Sequence, residues 1–173
     1  GLELGLEAAI PGAHVVAQVE IDPHCRHVLA KHWPQALRYS DVRTVHHPVI
    51  LPSGAQHTAA PLPAYDLVCG GFPCQDISLA GRGAGLGGAR SGLWWEFHRI
   101  IRETRPRFVV LENVAALVVR GLDAVLGALA ESGFYAQWDC IPASAVGAPH
   151  IRDRVFVIGR RSAATLEGTG GQR

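Results

Sequence analysis

Short, nearly continuous apolar runs that alternate with longer helix-like segments most constrain how this chain can fold. The runs at residues 65–71 (YDLVCGG), 107–114 (RFVVLENV) and 154–159 (RVFVIG) are apolar enough to be strands buried on both faces. Segment 23–33 opens with a proline at a helix start, and segment 91–106 is a helix that its last proline helps to end. The pattern further predicts helices over residues 2–9 and after Val114 to about Ser132, and strands over residues 14–22 and 37–42. This alternation predicts an α/β domain with a mainly parallel sheet and helices on both faces.

Polar side chains follow four of the predicted strands at the point where each strand ends. In parallel sheets, ligands bind beyond the carboxyl ends of the strands, so these groups are expected along one edge. They are Glu20, Asp22, Asp41, Cys74, Glu112 and Asn113. A single acid in such a place would mean little, but acids or a thiol at four strand ends predict a functional site.

Cys74 stands in the segment DLVCGGFPCQDIS (66–78), after an apolar strand, two glycines and Pro73. A free cysteine is most often a small buried hydrophobic residue. At a strand end, however, its side chain would be exposed, and with its free pKa of about 8.5 it would need help to ionise. Glu112 ends the next parallel strand and is expected beside Cys74. The two would form a nucleophile with a proton-donating carboxyl nearby.

Two arginines near the end of the chain form a second pattern. Arg152 and Arg154 alternate, which predicts that they share one face of a strand entering the sheet. Taken alone, they are more simply two solvated arginines on an edge.

Other chemistries are weaker interpretations of the same residues. The sequence GAGLGG at 83–88 has the spacing of a dinucleotide-binding turn but does not directly follow a strand, which favours a loop able to close over something. A thiol hydrolase would need a histidine partner, and His98 and His150 stay open as candidates. The histidines and cysteine at 24–32 lie on one helix without a second ligand pair, so no metal site is predicted.

Length and composition set the remaining limits. The 173 residues suit one domain, here predicted over 1–161 with a flexible tail over 162–173. A net charge of +1 argues against a free-standing DNA-binding protein. No apolar run approaches the roughly 20 residues of a membrane helix. The four cysteines form no CxxC pair, which predicts reduced thiols in the cytoplasm. The chain lacks Met and begins with Gly1, so we expect a piece of a longer protein.

GGFPCQDIS, LENV and RDRVFVIG, in this order and at these spacings, closely resemble the DNA cytosine-5 methyltransferases of bacterial or phage type. GLELGLEAA, VAQVEIDP and SDV resemble the cofactor segments of the same family, so the similarity covers about residues 1–160. The resemblance implies the Rossmann-like fold of S-adenosylmethionine-dependent methyltransferases. It also implies methyl transfer from S-adenosylmethionine to C5 of cytosine in double-stranded DNA.

The resemblance implies a catalytic role for four residues. Cys74 would attack C6 of a cytosine flipped out of the helix, and Glu112 would contact N3 and the amino group. Arg152 and Arg154 would orient the cytosine and the catalytic loop. The family motif is Gln-x-Arg-x-Arg, and His150 takes the place of its Gln, so the role of that position stays open.

The same resemblance implies residues that contact DNA and cofactor. A loop matching residues 76–91 closes over the flipped base, and the implied DNA contacts are Gln75, Ser78 and Arg90. The implied cofactor residues are Gly1, Glu20, Ile21, Asp41, Val42, Pro73 and Leu93. Glu20 would accept both ribose hydroxyls, Ile21 would pack on adenine, and Asp41 would accept the adenine amino proton. Without the resemblance, Asp41 is more simply a turn former or helix cap.

The chain departs from a whole family member at both ends. The family's first strand, with its Phe-x-Gly-x-Gly turn, is expected to be missing apart from Gly1, and so is the target recognition domain. We therefore expect the isolated chain to be inactive, and possible partners include a complementary chain carrying the recognition domain. The alternatives are cytosine-5 methylation of tRNA, and a non-catalytic remnant or subunit of a split methyltransferase. The role, restriction-linked protection or phage self-modification, stays open.

Overall fold

The computed structural model describes residues 1–45, 49–50, 56–57, 65–73 and 92–162. The chain divides into two compact units, Gly1–Pro63 and Ala64–Arg173. None of the described cysteines, Cys25, Cys69 and Cys140, forms a disulfide. No helix in these ranges has the length and apolar character needed to cross a membrane.

The first unit alternates short helices and short strands. Its helices are α1 (Leu2–Ala9) and α2 (Pro23–His32), with a 3-10 turn over Val42–Thr44. Its strands are β1 (Ala17–Val19), β2 (Leu37–Tyr39), β3 (Val49–Ile50) and β4 (Gln56–His57). β1 and β2 are parallel, whereas β3 and β4 form an antiparallel pair.

Polar side chains end both parallel strands of this unit earlier than the sequence predicts. Asp22 caps α2 by accepting the backbone N–H of Cys25 at 2.9 Å, and this hydrogen bond lowers the pKa of the Asp22 carboxyl. Asp41 likewise accepts the backbone N–H of Arg43 at 2.9 Å and starts the 3-10 turn. The chain therefore bends away from β1 and β2 before the predicted strand ends at residues 22 and 42.

The second unit is built on a four-stranded sheet in the order β5-β6-β8-β7. The strands are β5 (Leu67–Gly71), β6 (Phe108–Val114), β7 (Phe134–Pro142) and β8 (Asp153–Arg161). β5 and β6 are parallel, and β8 is antiparallel to both β6 and β7. Three strands therefore run in one direction and only β8 is reversed.

The helices of this unit pack together on one face of that sheet. They are α3 (Gly92–Thr104), α4 (Leu117–Arg120) and α5 (Leu122–Glu131), and a 3-10 turn spans Ala143–Val146. In β6, Val109 and Leu111 alternate onto the buried face, where they meet Trp94 of α3 and Leu129 of α5. The opposite face carries exposed Phe108 and Ile158, and no helix from the described part of this unit covers it.

The structure confirms the α/β class and also corrects one predicted helix. The segment from Val114 to about Ser132 is not a single helix, because the chain breaks at Gly121 into α4 and α5. The break lets Leu117 and Leu122 both point into the core.

Candidate active site

A pocket of about 510 Å³ lies at the carboxyl ends of β5 and β6. It is lined by residues 71–73, by residues 112–114 and by three arginines, Arg120, Arg152 and Arg154. These residues come from two parallel strand ends, from α4 and from the start of β8. The pocket therefore lies, within the second unit, at the strand ends where the sequence predicts Glu112 and Asn113.

Glu112 and Arg154 form an ion pair on the wall of this pocket. The register of β6 and β8 sets Val114 opposite Arg154, so Glu112 lies diagonally across from the arginine on the same face. Arg154 Nε is 2.8 Å from Glu112 Oε1, and the two side chains are 18% and 33% exposed. The pair fixes the direction of the carboxylate within a partly desolvated site.

Asn113 fixes the segment that leads from β5 into the pocket. Its buried amide donates to the carbonyl oxygen of Phe72 at 2.7 Å, and its Oδ1 accepts the backbone N–H of Val114 at 2.8 Å. The Phe72 ring packs against Trp94 with centroids 5.0 Å apart. Pro73 follows at the pocket wall, and its position is thus set by a buried hydrogen bond and an aromatic contact.

Gly71 lets the end of β5 approach Glu112 closely. The two residues are directly paired in the parallel ladder. A Cβ on residue 71 would lie 2.9 Å from the Glu112 backbone oxygen and 3.4 Å from Oε2. Only glycine fits there without a shift of the strand that carries the carboxylate.

Arg152 reaches the same pocket by a route that the sequence pattern did not predict. β8 begins at Asp153, so Arg152 lies before the strand and does not share a strand face with Arg154. The backbone N–H of Ala143 donates to the Arg152 carbonyl at 3.2 Å, which ties this segment to the end of β7. His150 is exposed two residues earlier and does not line the pocket.

Cys74, Gln75, Ser78 and Arg90 lie outside the described residues, as do the loop over 76–91 and the tail from residue 163. Cys74 directly follows Pro73 in the chain, and Pro73 lines the pocket. The catalytic and DNA-contacting roles of these four residues stay predictions.

The predicted cofactor residues of the first unit cluster at the carboxyl ends of β1 and β2. The backbone N–H of Glu20 donates to the Tyr39 carbonyl at 3.0 Å, so Glu20 lies beside the end of β2. Its Oε1 accepts the backbone N–H of Asp22 at 2.8 Å. Ile21 follows Glu20 directly in the chain and is 68% exposed. The arrangement offers an acceptor next to an apolar surface.

Asp41 is already engaged by a neighbouring cation. Arg43 Nε lies 3.0 Å from Asp41 Oδ1, and Arg43 Nη2 lies 2.6 Å from Oδ2. These hydrogen bonds hold the pKa of the Asp41 carboxyl below its usual value. The sequence interpretation of Asp41 as a turn or cap former is confirmed.

The other predicted cofactor residues lie on separate elements. Gly1 is the exposed residue before α1, Val42 opens the 3-10 turn, and Leu93 lies half-buried in the first turn of α3. Their cofactor roles stay predictions.

Sequence reasoning did not find Arg120 and gave Asn113 no role. Arg120 is the only charged residue among positions 113–122, and this lone cation in an apolar stretch was an available signal. The hydrogen bond of Asn113 depends on a contact between residues 41 positions apart, which no local pattern reveals.

Two of the alternative interpretations involve residues that the structure describes. His98 does not line the pocket and instead contacts Ala128 and Ser132 of the α5 end. No group of three or more His, Cys, Asp or Glu side chains placed to hold a metal occurs in the part of the chain that the structure describes.

Comparison with known proteins shows that one family model matches nearly the whole chain. The family described as C-5 cytosine-specific DNA methylase matches residues 1–170. The chain is 32% identical over 180 residues to Type II methyltransferase M.AquIA of Picosynechococcus sp., a match covering 96% of this chain and 70% of the relative. It is 35% identical over 112 residues to Type II methyltransferase M.BanI of Aneurinibacillus aneurinilyticus, covering 62% of this chain and 26% of the relative.

A solved structure from E. coli, of a proposed DNA modification methyltransferase encoded within a prophage, is similar with a TM-score of 0.64 and 26% identity. The match covers 94% of this chain and 44% of that chain. The chain thus spans about a quarter of M.BanI, 70% of M.AquIA and under half of the solved protein.

Proposed function

The chain belongs to the C-5 cytosine-specific DNA methylase family, and from that premise we propose that the protein containing it methylates C5 of cytosine in double-stranded DNA. The methyl donor is S-adenosylmethionine. The observation that carries the proposal is the Glu112–Arg154 pair, which lines one pocket together with Pro73, the residue before Cys74. Because the DNA of a bacterial or phage genome lies in the cytoplasm, we propose that the reaction takes place there.

Cys74 supplies the nucleophile in this reaction. Its thiolate adds to C6 of the cytosine, a C6–S bond forms, and the electrons of the C5–C6 double bond make C5 nucleophilic. After C5 has gained a methyl group it loses its proton, and expulsion of the thiolate restores the double bond. The base must leave the helix first, because its C6 face is stacked inside the duplex.

Glu112 is the proton-donating carboxyl: a proton shared between its Oε2 and N3 neutralises the negative charge that develops on the ring when the thiolate adds. Arg154 Nε lies 2.8 Å from Oε1, so Oε2 is the carboxyl oxygen that we assign to the cytosine. That second oxygen is available to the N3 and amino edge of cytosine. A carboxyl held in one direction before the reaction needs no reorganisation as N3 becomes more basic.

The residues of the first unit suit the adenosine part of the cofactor. Glu20 offers a carboxylate to the ribose hydroxyls, and exposed Ile21 offers an apolar surface to adenine. Asp41 would share its oxygens between Arg43 and the adenine amino group. When bound, S-adenosylmethionine supplies an electrophilic methyl group. Gly1, Val42, Pro73 and Leu93 remain proposed further contacts.

The chain matches only 44% of the solved relative. We therefore propose that residues beyond these 173 recognise the target sequence, and that they can belong to a complementary chain. Gln75, Ser78 and Arg90 are proposed contacts to the DNA near the target base.

The experiment that tests the function is covalent trapping by the complete protein on duplex DNA containing 5-fluorocytosine, with S-adenosylmethionine present. Fluorine at C5 cannot leave as a proton, so the C6–S adduct persists and migrates as a protein–DNA band. We expect the adduct with the native protein and none with Cys74→Ala. Cys140→Ala is the matched control, because Cys140 is an exposed thiol on β7 that does not line the pocket.

The same assay separates the alternatives. An adduct with fluorinated tRNA and none with DNA would assign the chain to RNA methylation, which the Type II methyltransferase relatives make the less supported choice. A complete protein that traps neither substrate would be the non-catalytic remnant. An adduct that persists in Cys74→Ala would remove Cys74 from the mechanism.

A further inference from the structure

We propose that Arg120 binds a backbone phosphate of the DNA substrate. The inference rests on the proposed function, because it requires DNA at this pocket. It adds a residue from α4 to a site otherwise built from the ends of β5 and β6 and the start of β8.

The first argument is position. Arg120 is the last residue of α4 and lines the same pocket as Glu112 and Arg152. Its neighbour Val119 is 85% exposed and lines no part of the pocket, so the helix presents the cation to the site and the apolar side chain to solvent.

The second argument is charge. The described pocket wall holds three guanidinium groups and the single carboxylate of Glu112. Arg154 pairs with that carboxylate, whereas no acid among the described residues pairs with Arg120 or Arg152. The wall therefore keeps two uncompensated positive charges. Cytosine is neutral, so the anions that a DNA substrate brings to these charges are its phosphates. Arginine matches phosphate oxygens with two parallel hydrogen bonds.

The third argument is that the backbone beneath Arg120 is held in place. Leu117, one turn earlier, is 1% exposed in the core. The backbone N–H of Gly121 donates to the Leu117 carbonyl at 3.0 Å and closes the turn. Asn113, at the end of β6, fixes the start of this segment through Phe72. A cation on a fixed turn loses less conformational entropy on binding than one on a free loop.

An arginine in the last turn of a helix also interacts favourably with the helix carbonyls, without any ligand. The two roles differ in how DNA binding responds to salt. A residue that neutralises a phosphate releases a counterion, and each such contact contributes about −0.9 to the slope of log K against log salt. A purely structural arginine leaves that slope unchanged.

The test measures the affinity of the complete protein for cytosine-containing duplex DNA between about 50 and 200 mM salt. We expect Arg120→Ala to make the slope of log K against log salt less steep by about 0.9. When salt is raised from about 50 to about 200 mM, the factor by which affinity falls should therefore be about 3.5 times smaller for the variant than for the native protein. Arg120→Lys keeps the charge and should keep the slope. Arg160→Ala, which removes an exposed arginine of β8 outside the pocket, should not change it.

An unchanged slope in Arg120→Ala, with native DNA binding intact, would overturn the inference. The measurement does not depend on methylation. A native protein that binds DNA without methylating it would refute the proposed function, and the slope of the variant would still decide the role of Arg120. If the native protein does not bind DNA at all, both proposals are wrong.

Discussion

Residues of both neighbouring strands, β8 and β5, set the position of Glu112. Arg154 fixes Oε1, and Gly71 lets β5 lie directly against the Glu112 backbone. The sequence shows Gly70 and Gly71 as equivalent neighbours, but the structure gives them different surroundings. A Cβ on Gly70 would meet the ring of Phe97 at 3.3 Å, whereas one on Gly71 would meet backbone at 2.9 Å.

Gly71→Ala is expected to lower kcat by about ten- to a hundredfold, because a shift of the β6 end misplaces Glu112 relative to the base. Gly70→Ala is the matched control, since the Phe97 side chain can move by a few tenths of an ångström where backbone cannot. The measurement is methyl transfer to DNA by the complete protein, with circular dichroism to confirm folding. Equal kcat values for the two variants would show that the close contact does not position Glu112.

At the scale of elements, His98 joins α3 to the end of α5. Its Nε2 lies 3.0 Å from the Ala128 carbonyl and 2.8 Å from Ser132 Oγ. A carbonyl only accepts, so Nε2 carries the proton and the ring is stacked on Trp94 at 5.8 Å. Burial lowers the pKa of His98 below its ordinary value. The buried ring is therefore held in its neutral form.

This lowered pKa predicts a loss of stability in mild acid. Below the unfolded pKa of about 6.5, the unfolded chain takes up a proton at residue 98 that the folded chain resists. The free energy of unfolding therefore falls as pH decreases from about 6.5 toward the folded pKa. Urea unfolding at pH 7.5 and 5.5 should show a smaller decrease for His98→Gln than for the native protein.

The control for this experiment is His27→Gln, which removes an exposed histidine of α2. It should keep the native difference between the two pH values. If His98→Gln also keeps the full difference, the acid sensitivity comes from other groups.

At the scale of the molecule, the carboxylates proposed to bind the cofactor and the groups proposed to act in catalysis belong to different units. Glu20 and Asp41 lie in Gly1–Pro63, and Glu112 and the arginines lie in Ala64–Arg173. Thiol addition at C6 makes C5 basic whether or not a methyl group is available. C5 can then exchange its hydrogen with water, which reports on addition alone.

Variants in the two units should therefore separate cofactor binding from addition. Glu20→Ala is expected to raise the KM for S-adenosylmethionine while leaving cofactor-free exchange of the C5 hydrogen near its native rate. Glu112→Gln should lower both methylation and exchange, by about a hundredfold or more, because the carboxyl acts on the addition step. The measurements are release of tritium from C5-labelled DNA and methyl transfer at varied cofactor concentration.

Asp22→Asn is a suitable control in the first unit, since it keeps the cap on α2 and should change neither value strongly. Loss of cofactor-free exchange in Glu20→Ala would contradict the assignment of Glu20 to cofactor binding.

Much of the fold could be predicted because its signals are local. The helix α1 over Leu2–Ala9 matches the predicted segment, and α2 begins at the predicted Pro23. β5 and β6 lie within the apolar runs predicted for them and end at the last residue of each run. The break at Gly121 was missed, because the residues from Leu117 to Leu129 are mostly apolar and are compatible with a single helix. Two separate helices are evident only from the structure, in which Leu117 and Leu122 both pack in the core.

The sequence by itself determined which chemical groups the site can use: a thiol after Pro73, the acid of LENV and two arginines before an apolar run. These depend on residue type and short spacing, which are encoded locally. Only the tertiary structure decided that Arg154 pairs with Glu112, that Arg120 joins the same pocket, and that Gly71 faces the Glu112 backbone. Those contacts follow from strand register and helix packing, which bring together residues far apart in the chain and therefore leave no local pattern.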